Sequence, residues 1–379
     1  MGAPLVIVGT GTAGYALLRA VRRVDPRLPV LLLTADDGLV YDKFGFASAL
    51  AHRKDAAELV FATAEQMAHR YGTTVLTQRQ VLSVDRASRQ VVTAGGAQPY
   101  LRLVIATGAV PRLAPALRGT AAGKVLRVGG IADYAYLRHR LVGRNRVLVL
   151  GGTISGCEFA DGLARAGFDV DLLEPANQLF ADAWPGLFAG RIEQALREAG
   201  VRPMIEDGLQ RLEQGPDALV ATTLAGLHLS PEVVIAALGS HPRTRLATDC
   251  GLAVASGIVV DARFRTADPH IHAFGECAEF ERRTFKLAED IDAGAAVLAA
   301  ILAGNLGQMR WQPRVRHLQI ERCAAVVCEP PPVAGEWHER RTARGVRSVF
   351  HDDKGRLRGF ALAGEAAPEA DRLLKHVVR

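Results

Sequence analysis

At 379 residues and 49% hydrophobic, the chain is long enough for two or three domains with sizeable cores. Its net charge is +6, yet aromatic residues are only 6% and no dense Lys/Arg run appears, so nucleic acid is disfavoured and an acidic protein partner is the better reading. The apolar stretch at residues 295–302 is too short to span a membrane, and no secretory signal opens the chain.

The first element is Leu5-Val6-Ile7-Val8, a short apolar run of the kind that forms a buried parallel strand. A glycine-rich turn follows, Gly9-Thr10-Gly11-Thr12-Ala13-Gly14. Tyr15, Leu17, Leu18 and Val21 then recur at helical spacing. In such a turn Gly9 permits the sharp bend, Gly11 lets backbone approach a pyrophosphate, and Gly14 lets helix and strand pack closely. The helix start offers N–H groups and a positive dipole end to phosphates. Val30-Leu31-Leu32-Leu33 is the second strand, and Asp36 stands where an acid would take ribose hydroxyls.

Helical texture is predicted for residues 56–70, then short strands at Thr74-Val75-Leu76 and Gln90-Val91-Val92. Leu103-Val104-Ile105 leads into Ala106-Thr107-Gly108. A second unit runs from about residue 110 to 239. Its strand Val147-Leu148-Val149-Leu150 precedes a second glycine-rich turn, Gly151-Gly152-Thr153-Ile154-Ser155-Gly156, and a helix opening on Cys157-Glu158. Glu174 follows Asp171-Leu172-Leu173, correctly placed for an adenosine ribose, and an acid there favours NAD over NADP. Thr153 stands where the middle glycine is expected. The unit therefore reads either as a dinucleotide site with its phosphates further out or as one that no longer binds. Residues 233–238 are another buried strand, ended by Gly239.

Residues 257–260 and 271–274 read as strands returning to the first domain. From Trp311 the texture becomes β-rich, with a proline triplet at Pro330-Pro331-Pro332, a turn at Asp352-Asp353-Lys354-Gly355 and a closing helix near residues 370–377. Arg314, Arg316, Arg340, Arg341 and Arg344 offer a positive face, or an ordinary solvated one. Five scattered cysteines point to a reducing cytoplasm. Cys323 and Cys328 face opposite sides if both lie on a strand; a helix start could lower the Cys157 pKa, but Cys157 and Cys277 read as packing residues. The histidines are isolated, so no metal site is expected.

Two dinucleotide turns in one chain suggest electron transfer between two dinucleotides. The order of the Gly9–Gly14 turn, Tyr41-Asp42-Lys43, Ala106-Thr107-Gly108, the Gly151–Gly156 turn, Gly239 and Gly275-Glu276-Cys277-Ala278-Glu279 resembles the two-dinucleotide flavoprotein reductases of the pyridine nucleotide-disulfide reductase type. Thr34-Ala35-Asp36-Asp37-Gly38 and Gly156-Cys157-Glu158-Phe159-Ala160 bring it nearest the rubredoxin–NAD reductases among them.

The resemblance implies an α/β fold with two Rossmann-like dinucleotide-binding domains and a small C-terminal α+β domain. It implies FAD in a discontinuous domain of residues 1–109 and 240–310, NADH in residues 110–239, and an acceptor domain at 311–379. FAD would be held by Gly9, Gly11, Thr12, Ala13, Gly14, Asp36, Lys43, Ala106, Thr107, Gly108, Gly275 and Glu276. NADH would be held by Gly151, Gly152, Thr153, Ile154, Gly156, Glu174 and Gly239. Lys43 and Glu158 would meet beside the flavin as the catalytic pair. Taken as residues alone they read equally well as two surface charges.

The implied acceptor is a small acidic electron-transfer protein, rubredoxin first, with a ferredoxin or a small molecule in a tailoring pathway as alternatives; a degenerate relative with weakened FAD binding, acting as a partner subunit, is the third reading. The chain departs from the pattern at Phe44 (usually Pro), Thr153, Glu276 (usually Asp) and the charged segment Thr284-Phe285-Lys286-Leu287-Ala288-Glu289-Asp290.

Overall fold

Strands with apolar side chains buried on both faces, such as Leu5–Val8 and Val233–Ala236, lie inside the two parallel sheets. The computed structural model describes residues 2–112 and 117–378. They fall into two compact units, one of segments Met1–Asp42, Val60–Val110 and His241–Gln312, the other of Lys43–Leu59, Pro111–Ser240 and Pro313–Arg379.

The first unit is built on a parallel sheet in the order Ile271–Ala273, Arg102–Ile105, Leu5–Val8, Val30–Leu33, Thr74–Leu76. Every residue of the Leu5–Val8 and Val30–Leu33 strands is buried. The helix Thr12–Val24 buries Tyr15, Leu17, Leu18 and Val21 and packs against the helix Ala288–Leu302. Leu17 and Leu18 are fully enclosed, a burial worth about 1.5–3 kcal/mol each. Residues 257–260 give a shorter strand than expected, Ile258–Val259, which joins Ala278–Phe280 and Arg283–Thr284 in a separate small sheet.

Residues 56–70 are not one helix. A 3-10 turn at Ala56–Leu59 is followed by the strand Val60–Ala62, paired with Val40–Tyr41, and the helix is Ala64–Tyr71. Thr63 sets that boundary. Its hydroxyl accepts from Gln66 N, and the Gln66 side chain accepts from Thr63 N, a reciprocal cap that starts a helix at Ala64.

The second unit repeats the scheme. Its parallel sheet has the order Leu126–Arg127, Val233–Ala236, Arg146–Leu150, Asp169–Glu174, Val201–Ile205. An antiparallel sheet closes the chain, in the order Arg316–Leu318, Ala325–Cys328, Leu357–Gly364, Gly345–Asp352, Gly335–Arg341. The helix Gly186–Glu198 packs on it. The Asp352 carboxylate accepts from Lys354 N, Arg356 N, Arg356 Nε and Arg358 Nη1, which pins the expected turn. The final helix is only Ala370–Leu374, preceded by a 3-10 turn at Ala367–Glu369. Among the described residues no helix is long and apolar enough to cross a membrane.

Candidate active site

The two glycine-rich turns share one backbone plan. Gly9 N donates to Leu33 O at 2.8 Å, and Gly151 N donates to Leu173 O at 2.8 Å. Both first glycines have positive φ, +114° and +102°, and a Cβ on either would press on the backbone just past the neighbouring strand, at Ala106 O or Ala237 O. The last glycines leave no more room: a Cβ on Gly14 would lie 2.0 Å from Gly9 O, and on Gly156 1.9 Å from Gly151 O. These four positions are glycine because backbone fills the space.

The first turn is open where a ligand would lie. Gly11 is exposed, a Cβ there would meet nothing within 4 Å, and no side chain caps the helix that begins at Thr12. Ala13 is buried and abuts Gly275, whose absent Cβ would lie 2.5 Å from the Ala13 Cβ. This contact sets Gly275 and the half-buried Glu276 beside the start of the helix. Ala106 backs the turn, and Thr107 and Gly108 are tied to Arg243 through Thr107 Oγ1 and Gly108 O. Asp36 is exposed, with Oδ1 accepting from Thr34 Oγ1 at 2.6 Å, Gly38 N at 3.0 Å and Thr10 Oγ1 at 3.4 Å. The open amide-lined helix start suits a dinucleotide pyrophosphate.

The second turn keeps the path but occupies more of its own groups. Thr153 has φ −72° and ψ 169°, close to the extended geometry of Gly11, so no glycine is needed there for backbone reasons. Its Oγ1 donates to Ala237 O at 2.7 Å and accepts from Gly156 N at 3.1 Å, capping the helix Ile154–Arg165. Glu174 is buried. Its Oε2 accepts from Gly152 N at 2.6 Å and Oε1 from Ala176 N at 2.8 Å. Gly239 adopts φ +82°, and its carbonyl accepts from Arg112 N.

The helix Ile154–Arg165 also carries Glu158, one turn beyond the second loop. A Cβ on Gly162 of this helix would come 2.4 Å from Ala47 O, so the helix Phe46–Ala51 lies against it. That approach brings in the preceding turn, Lys43–Gly45. Lys43, Phe44, Phe46, Ala47, Ser155, Glu158, Phe159 and Arg316 line one cavity of about 60 Å³. Lys43 Nζ stands 5.2 Å from the Phe44 ring centroid, so the residue in place of proline gives the ammonium an aromatic shelf.

Glu158 is buried. Its Oε2 accepts from Arg316 Nη2 at 3.2 Å and its Oε1 from Gln319 N at 3.2 Å. Burial raises its carboxyl pKa, opposed by Arg316 and the Gln319 amide. Arg316, grouped by sequence with an outward basic face, is thus paired with Glu158 instead. Arg340, Arg341 and Arg344 are exposed. No local signal could have linked Arg316 to Glu158, which lie 158 residues apart.

Cys157 is a packing residue, as expected, and its place near a helix start does not lower its pKa. The residue is fully enclosed, and burial raises its thiol pKa well above normal despite the helix start. All five cysteines are free thiols. The segment 284–290 splits: Phe285 and Asp290 are buried, and the helix begins at Ala288. Among the described residues no group of three or more His, Cys, Asp or Glu could hold a metal.

The family described as pyridine nucleotide-disulphide oxidoreductase matches residues 3–293, and the rubredoxin binding C-terminal domain matches residues 320–377. The chain is 32% identical over 376 residues to the rubredoxin-NAD(+) reductase of Alcanivorax borkumensis, covering 99% of this chain and 98% of that protein. It is 30% identical over 377 residues to the nitric oxide reductase FlRd-NAD(+) reductase of Vibrio vulnificus, covering 100% and 98%. Among solved structures, the covalent putidaredoxin reductase–putidaredoxin complex aligns with TM-score 0.88 at 24% identity over 98% of this chain and 93% of that one. The water-forming NADH oxidase of Lactobacillus brevis aligns with TM-score 0.88 at 19% identity over 100% and 92%.

Proposed function

Because this chain belongs to the pyridine nucleotide-disulphide oxidoreductase family, we propose that it passes electrons from NADH through FAD to a small electron-transfer protein, rubredoxin. One observation carries the reading: a duplicated dinucleotide turn and a match to the rubredoxin binding C-terminal domain lie on one chain.

When bound, FAD supplies two-electron acceptance from a hydride donor and release of single electrons. Residues 1–109 and 240–310 serve as the FAD domain, 110–239 as the NAD domain and 311–379 as the acceptor domain. In the first, Gly9, Gly11, Thr12, Ala13 and Gly14 cradle the pyrophosphate, Asp36 takes the ribose, and Ala106, Thr107, Gly108, Gly275 and Glu276 border the cofactor. In the second, Gly151, Gly152, Thr153, Ile154, Gly156 and Gly239 form the NADH cradle. Glu174 shapes it and opposes a 2′-phosphate. Lys43 and Glu158 are the charged pair that serves the reacting edge of the flavin. Lys43 stabilises negative charge as it develops, and a carboxylate nearby lets the ammonium stay charged when partly enclosed. Five free thiols support a cytoplasmic setting.

Anaerobic NADH added to the yellow protein tests this, followed by oxidised rubredoxin. Bleaching and then rapid reoxidation are expected. Bleaching without transfer to rubredoxin moves the acceptor to another protein, and the FlRd-NAD(+) reductase relatives favour the acceptor of that name as the second reading. A colourless protein that binds no FAD overturns the proposal.

A further inference from the structure

The cavity that holds Lys43 and Glu158 is not closed by those residues alone. A short segment of the C-terminal part of the chain touches Glu158 and Phe44, the residue after Lys43. From the strand Arg316–Leu318, Arg316 Nη2 donates to Glu158 Oε2 at 3.2 Å. Immediately after it, Gln319 N donates to Glu158 Oε1 at 3.2 Å, and Gln319 Nε2 donates to Phe44 O at 3.3 Å. Two residues of this four-residue stretch, Arg316 and Gln319, therefore grip the carboxylate and the Phe44 carbonyl.

We propose that Arg316 is a positioning residue, which through this strap holds the Glu158 carboxylate in the Lys43 cavity and makes that cavity net cationic. The proposal rests on the functional reading above, in which Lys43 and Glu158 serve the flavin. A Lys–Glu pair alone sums to zero. With Arg316 the three charged side chains lining the cavity sum to one positive charge when Glu158 is ionised. In a buried setting that charge favours negative charge arriving with a hydride.

The surroundings leave Arg316 as the chief control. The Glu158 side chain is only 8% exposed, so its charged form needs a partner. The helix Phe46–Ala51, packed on the Glu158 helix, brings no charged residue. Across the other contact, Asp169 and Asp171 are bound to Arg202, and Glu174 is bound to the second loop. On the same helix Asp161 is held by Glu321 N and Arg165. Cationic groups at the cavity are Lys43 and Arg316.

The test titrates Glu158 in the holoprotein by carboxyl ¹³C NMR, assigned with Glu158→Gln, and measures the flavin midpoint potential of the same samples. Arg316→Met removes the charge and keeps the stem; Arg316→Lys keeps the charge. In Arg316→Met the Glu158 pKa should rise by about one unit or more, and the potential should become more negative. The pH profile of flavin bleaching should move alkaline with the pKa. Arg316→Lys should restore at least half of each shift. If Arg316→Met does not fold, Arg316→Gln is read by the same rule.

An unchanged titration and potential overturn the proposal, as does a Lys variant that behaves like the Met variant. Bleaching of the unmodified protein by NADH tests the functional reading on its own. A protein that bleaches normally while Glu158 ignores Arg316 sinks only the positioning role. A protein that never bleaches sinks the functional reading, and the Glu158 titration still reports on Arg316.

Discussion

Glycine positions that look alike in sequence separate sharply once the neighbours of each absent Cβ are known. Gly11→Val adds a side chain where no protein atom stands within 4 Å, whereas Gly14→Ala drives a carbon to 2.0 Å from Gly9 O. The Val variant should fold with a melting temperature close to the parent's and bind FAD more than about tenfold more weakly by fluorescence titration. The Ala variant should lose on the order of 3 kcal/mol in denaturant unfolding. A Gly11→Val protein with full yellow occupancy would remove that turn from the FAD site. Glu174 gives a second contrast. NADH should outperform NADPH in kcat/KM, and Glu174→Gln should narrow the ratio. Glu174→Arg should not produce a clean switch, because Gly152 N and Ala176 N would lose their acceptors in a buried place, at a cost of about 3 kcal/mol. A stable Glu174→Arg protein that prefers NADPH would contradict this role.

Within one element, the helix Ile154–Arg165 combines a capped start, Glu158 and the buried Asp161. Thr153→Gly restores the residue usual in such turns, yet it deletes a cap and a bond to Ala237 O. Stability should fall by about 1–2 kcal/mol in thermal unfolding, and an unchanged melting point would dismiss the capping role. Burial lifts the Asp161 carboxyl from 3.8 to about 6, against the pull of Glu321 N and Arg165. A raised carboxyl pKa means that the folded protein binds more protons than the unfolded chain between about pH 4 and 6. This group's contribution to stability therefore falls as pH rises through that window. Asp161→Asn keeps an acceptor for Glu321 N and should stabilise by on the order of 2 kcal/mol at pH 7, with the gain vanishing near pH 4. A gain that is equal at both pH values would assign the effect to something other than ionisation. The strand, loop and helix that frame this element were legible because their signals are contiguous: a buried apolar run, glycines at fixed offsets, then helical periodicity. Thr153 was harder, because the glycine pattern tests for room and φ and is silent on a hydroxyl that caps. Arg316 was invisible, since only the folded chain brings residue 316 to residue 158. Residues 56–70 misled because the capping box at Thr63 outweighs a helix-like composition before it.

At the scale of the molecule, one sheet-and-loop scheme is used twice, and each copy then departs in its own way. The first leaves its turn open at Gly11; the second fills its turn with Thr153 and Glu174 contacts. The net charge of +6 and the exposed Arg340, Arg341 and Arg344 favour encounter with an acidic acceptor. The rate of electron transfer to rubredoxin should fall roughly tenfold between about 10 mM and 500 mM salt, as screening shortens the reach of these charges. A flat stopped-flow rate over that range would argue against steering by this face. Arg316 and Gln319 also decide where such a protein can be recombined. A hybrid meant to accept a different redox partner invites a junction near residue 311, where the β-rich texture begins. Cutting there would import a stranger's side chains opposite Glu158 and change the electrostatics of the Lys43 cavity along with partner choice. A junction moved past Gln319 exchanges most of the terminal sheet and leaves the recipient's own electrostatics intact, so the two traits can be selected separately.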